Sequence, residues 1–185
     1  MTDTESKFSM AIPYLLIFGV AVLRVELINP YNVVPIFACL LFFAAMRPSR
    51  ELVLPLSLLV GVDIFITTHR YGYPRTADAV VTWVGYLIVL LLGAGVLKDF
   101  RSSPRVAVSS LLASISFFLV SNFAVWAAWQ MYPKTLAGLG MCYVAALPFF
   151  RNSLAAELGF SLILCGLMGR IRSAAAVAIV RPSHC

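Results

Sequence analysis

Residues 105–130 read RVAVSSLLASISFFLVSNFAVWAAWQ, with a single charge, Arg105, at the first position. The apolar residues run on without alternating with polar ones, so neither a half-buried strand nor a membrane β-barrel fits. A helix of this length rises past the hydrocarbon core of a bilayer, which takes ~20 residues. Reading outward, five more apolar stretches lie at about 10–28, 33–46, 52–68, 79–97 and 153–171. The expected fold is all-α: a compact bundle of six transmembrane helices. It forms one domain over 1–185, with a short polar N-terminus and a basic C-terminal tail.

Composition points the same way. Hydrophobic residues make up 61% of the chain and charged ones 12%, about half the share usual in a soluble domain. That is too few to clothe a soluble surface, so the lipid bilayer is an expected partner. The first stretch follows Lys7 in the manner of a secretory signal. However, Arg24, Glu26 and Asn29 follow it where a small-residue cleavage site belongs, and it reads as a retained helix. Cys39, Cys142, Cys165 and Cys185 form no close pair, and His69 and His184 stand at no metal spacing, so no metal site and no cofactor are implied. The net charge of +6 comes from basic residues in loops, and no nucleic-acid partner is expected. Apart from Arg24, Asp63 and Glu157, no helix offers the His, Cys or acid–base pairing of an enzyme, and no catalytic residue is assigned.

Orientation follows from Lys and Arg in the loops. With the N-terminus inside, nine of them fall on the inner side and four on the outer, Arg24 being intramembrane. The chain is thus expected as a multi-pass protein of the bacterial cytoplasmic membrane, with both termini cytoplasmic. In that orientation the polar residues within and beside the helices gather toward the outer face. Arg24 and Glu26 stand near the outer end of the first helix, Asn29 and Asn32 in the following turn, and Asp63 about one and a half turns from the end of the third. Asn122 and Trp126 lie in the outer half of the fifth, and Glu157 in the first turns of the sixth.

A charge in lipid costs a few kcal/mol and marks a functional site by default. Arg24 and Asp63 are expected to come within ion-pair reach, since each supplies the partner the other needs. The segment 132–151, YPKTLAGLGMCYVAALPFFR, has an apolar part too short to span and ends beside Pro148. It is expected as a short helical or re-entrant lid over the outer end. The candidate ligand-binding set is Arg24, Asn32, Asp63, Asn122, Trp126, Tyr132, Cys142 and Tyr143. Each has a plainer reading beside it. Arg24 can snorkel to the interface, Asn122 can cross-link helices, the aromatics can form an interfacial belt, and Cys142 can be a small packing residue.

NPYNVVPIFA at 29–38, Asp63, SNFAVW at 121–126 and YPKTLAGLGMCYVAALPFFRNS at 132–153 resemble an uncharacterised family of small bacterial integral membrane proteins. Its members are similar to the substrate-binding (S) components of energy-coupling-factor transporters. The resemblance covers most of residues 15–170. It implies six helices with a substrate pocket on the extracellular side, roofed by loops. The expected function is binding or uptake of a small molecule through a polar pocket open to the extracytoplasmic side. The alternative is an accessory or structural subunit of a larger membrane complex, with other membrane subunits as partners and the polar residues only linking helices.

Overall fold

The computed structural model of the chain describes residues 3–26, 35–71, 77–96 and 103–180. These residues hold six α-helices: α1 (Asp3–Glu26), α2 (Ile36–Met46), α3 (Val53–Ile66), α4 (Ala77–Val96), α5 (Ser103–Ala128) and α6 (Leu136–Val180). A 3-10 turn, Ser49–Glu51, precedes α3, and a π-helical turn, Thr67–Tyr71, continues it. No strand occurs among the described residues. The helical reading therefore holds.

The architecture is organised around α2, whose sequence IFACLLFFAAM is apolar on every side. A helix of that kind must be enclosed by others. Ala38, Cys39, Leu40 and Leu41 are fully buried, and α1, α4, α5 and α6 pack around α2. Gly93 lets α4 approach closely, because a Cβ there would lie 2.7 Å from the Ala44 Cβ and 3.0 Å from the Leu41 carbonyl oxygen. The stretch expected as a span at 33–46 is thus an 11-residue core helix, about 16 Å long and half a bilayer core. Prolines set its limits. Pro35 occupies the N-cap position, while Arg47, ahead of Pro48, is extended at φ −119° and ψ 151°, as a residue before proline tends to be.

The second correction concerns the expected lid. Residues 136–180 form one 45-residue helix that runs through Pro148, about 68 Å at 1.5 Å per residue. The lid segment and the sixth span belong to this single element. Thr135 starts it, its Oγ1 accepting from the Gly138 N–H at 3.2 Å, as an N-cap threonine does. A Cβ on Gly138 would stand 2.0 Å from the Pro133 carbonyl oxygen, so the tight turn into α6 requires glycine there. Pro148 lies on an exposed side of α6, where a missing N–H disturbs no packing. From this long helix α6 makes its broadest contact with α5, including a buried Ser110–Ser161 hydroxyl bond of 2.6 Å.

Among the described residues two helical segments, Ser49–His69 and Pro104–Ala128, are long and apolar enough to cross a membrane, and Ile36–Met46 and Ala79–Gly95 are shorter apolar helices. Large apolar side chains also face outward on several helices: Leu15, Phe18, Val53, Leu91, Leu112, Val120 and Ile163 are more than half exposed. A surface this apolar marks contact with lipid or protein. At one end of the bundle α1 is tied to the α2–α3 connection. There the Arg47 guanidinium donates two hydrogen bonds to the Glu51 carboxylate, at 2.8 and 3.2 Å, and lies 5.0 Å from the Tyr14 ring centroid. The Tyr14 hydroxyl donates to the same carboxylate.

Candidate functional site

At the opposite end of the bundle, α2 begins inside the protein and not at its surface. A helix start leaves backbone N–H groups without intrahelical partners, and Pro35 offers no side-chain cap. Glu157 of α6 supplies one from 119 residues away. Its Oε1 accepts from the Phe37 N–H at 3.1 Å and its Oε2 from the Ala38 N–H at 2.6 Å. The side chain is 4% exposed. A carboxylate at the positive end of a buried helix is electrostatically well placed. Glu157 was expected near the start of its own helix; in fact it lies mid-way along α6 and caps α2.

Beside this cap, the Arg24 Nε of α1 donates to Asp63 Oδ1 of α3 at 2.8 Å. The two charges meet, as their shared depth implied. The Asp63 Oδ2 is buried without a hydrogen-bond partner among the described residues, and so are the Tyr86 hydroxyl and the Ser114 Oγ. Tyr86 is 1% exposed and Ser114 4%. Unpartnered buried polar groups cost about 1–3 kcal/mol each, so each needs a reason.

A cavity of about 350 Å³ lies where these elements converge. Arg24 of α1 reaches it, α2 contributes Ile36 and Phe37, and α4 contributes Thr82 and Tyr86. From α5 come Ser114, Phe117, Phe118, Ser121 and Asn122; from α6 come Ala146, Phe149, Phe150, Ser153 and Glu157. Phe37 meets Phe117 edge-on at 5.0 Å, and Phe118 lies over Phe150 at 4.4 Å. The first half of α6, expected as a roof, is thus one wall of the cavity.

Of the residues expected to bind ligand, Arg24 and Asn122 line this cavity, and Asp63 stands behind Arg24 as its partner. The Asn122 amide also donates to the Phe118 carbonyl at 2.8 Å. Trp126, Cys142 and Tyr143 lie away from it and join α5 to α6. The Trp126 Nε1 donates to the Pro133 carbonyl at 2.9 Å, the Cys142 thiol to that of Asn122 at 3.5 Å, and the Tyr143 hydroxyl to that of Leu119 at 2.7 Å. Lys134 lies 5.5 Å from the Trp126 ring centroid and donates to the carbonyls that end α5, Trp129 among them at 2.6 Å. Tyr132 sits half-buried in the same connection, and Asn32 lies outside the described residues. The sequence reading missed Tyr86, Ser114, the phenylalanine walls and the cap made by Glu157. One signal for the cap was legible: a proline directly before an apolar run leaves a helix start that some distant acceptor must satisfy. Among the described residues no group of three or more His, Cys, Asp or Glu side chains is placed to hold a metal ion.

Residues 4–178 match the model of a family of unknown function (DUF6580), and the chain belongs to that family. No curated protein and no solved structure matches it.

Proposed function

We propose that this chain is a multi-pass membrane protein that captures a small organic molecule in the cavity above α2 and serves its uptake. The observation that carries the proposal is the convergence of five helices on a 350 Å³ cavity. Its volume falls at the lower end of the range for small-molecule sites. The buried hydroxyls of Tyr86 and Ser114 have no hydrogen-bond partner among the described residues and suit a ligand that supplies the missing bonds. The exposed apolar side chains of α1, α3, α4, α5 and α6 suit lipid, and the Lys/Arg count favours an orientation with the cavity toward the extracytoplasmic side. An outward polar pocket is also what the resemblance of the sequence to S components implies. The test is untargeted mass spectrometry of small molecules released from the purified full-length protein. We expect a low-mass compound enriched over an unrelated membrane protein purified in the same way; its absence over repeated preparations counts against binding.

A second reading draws on the Arg24–Asp63 pair and the Glu157 cap, each of which ties one helix to another. In it, the chain is an accessory subunit and the polar residues only link helices. That reading predicts no released compound, and partner subunits recovered on gentle solubilisation.

A further inference from the structure

The charges at the cavity do not balance evenly. Arg24 and Glu157 are the charged residues lining it, and Arg24 already faces the Asp63 carboxylate at 2.8 Å. Glu157 faces the N–H groups that start α2, those of Phe37 and Ala38 at 3.1 and 2.6 Å. A helix N-terminus carries about half a positive charge, so the cavity keeps a net acceptor character. A carboxylate can accept about four hydrogen bonds, and the start of α2, from Ile36 to Ala38, leaves at least one acceptor site open. An anionic ligand brought against this buried carboxylate would meet like charge without compensation.

The rest of the cavity adds shape. Phe37, Phe117, Phe118 and Phe150 present ring edges and faces around a space of 350 Å³, about two fused rings with substituents. Phenyl walls favour flat ligands and tolerate positive charge. We infer that the ligand is a small planar nitrogen heterocycle, neutral or singly positive. It turns an N–H or amino edge toward Glu157 and engages the Tyr86 and Ser114 hydroxyls. This rests on the binding reading above and narrows it to a chemical class.

Calorimetric titration of the full-length protein in detergent tests the class with two planar bicyclic probes: 2-aminobenzimidazole, which has the donor edge, and 2-naphthoate, which has a carboxylate. The expected result is a Kd for 2-aminobenzimidazole at least about tenfold tighter, as charge-assisted bonding implies. That preference is expected to fall away in Glu157→Gln and in a Tyr86→Phe/Ser114→Ala double variant. The double variant removes two buried hydroxyls without a hydrogen-bond partner among the described residues, so it is expected to fold even where Glu157→Gln does not. Equal or tighter binding of 2-naphthoate, weakened by the double variant, overturns the class and leaves the binding reading standing. A preference that both variants leave intact places the probe elsewhere and overturns the class as well. If neither probe binds, the compound released on purification decides: a planar nitrogen heterocycle upholds the inference and any other compound overturns it. If neither binds and nothing is released, both readings fall.

Discussion

Arg24 and Asp63 show how much a single apolar helix can reveal about residues far from it. Each charge sits where lipid or protein replaces water, and the cheapest solution is the other one. Their 2.8 Å contact leads to a measurable coupling. Arg24→Gln and Asp63→Asn should each cost about 2 kcal/mol of stability in detergent, since Arg24 keeps partial exposure that softens the loss. The double variant should cost less than the sum of the two; simple additivity in a denaturation cycle would contradict the pairing. Glu157 was legible as an acid in the first turns of a helix, but not in its role, because its partners are backbone N–H groups 119 and 120 positions away, and the proline before α2 says that an acceptor is needed without saying which. Glu157→Leu leaves those N–H groups buried and unbonded and should cost about 2 kcal/mol or more. Glu157→Gln keeps an acceptor oxygen and should cost less. Thermal unfolding of the two variants side by side checks the order, and a Leu variant as stable as the Gln variant would remove the cap from the account.

At the scale of elements, hydropathy marked the helices well and their lengths poorly. α1, α3, α4 and α5 lie close to the expected spans, because long apolar runs have one economical backbone in a setting without water. α2 came out shorter because Pro35 and Pro48 bound it. α6 came out much longer because Pro148 and the Arg151–Asn152 pair look like a break, while an exposed proline within a well-packed helix is tolerated. The distinction between a roof and a wall follows from that length. Spin labels at Met141→Cys and Ile163→Cys, both exposed positions, lie 22 residues apart. In a continuous α6 they should be about 33 Å from each other by pulsed dipolar measurement. A separation well below that, near 20 Å, would mean that the segment before Pro148 folds back over the bundle.

For the molecule as a whole, the organising fact is a short core helix whose start lies inside a ring of longer ones. Burying α2 on all sides leaves its N-terminus with N–H groups to satisfy, and the neighbours that extend past it form the walls of the cavity. A helix start, a carboxylate, an ion pair and two hydroxyls without a partner among the described residues thus collect at one end, while the other end is closed by Tyr14, Arg47 and Glu51. This asymmetry was visible in the sequence as polar residues at one depth. The cavity itself was not, since a void depends on how Phe37, Phe117, Phe118 and Phe150 meet. Which side of a membrane it faces depends on basic residues in the connections, nine against four, acting through the retention of Lys and Arg on the cytoplasmic side. If the cavity opens outward, both chain ends lie inside. Asp3→Cys and Ser183→Cys introduced singly, with the native cysteines replaced, should then react with a membrane-impermeant maleimide only after the cells are opened. Labelling of either position on intact cells would invert the bundle. The cavity would then face the cytoplasm, and capture from outside would give way to binding of an intracellular compound.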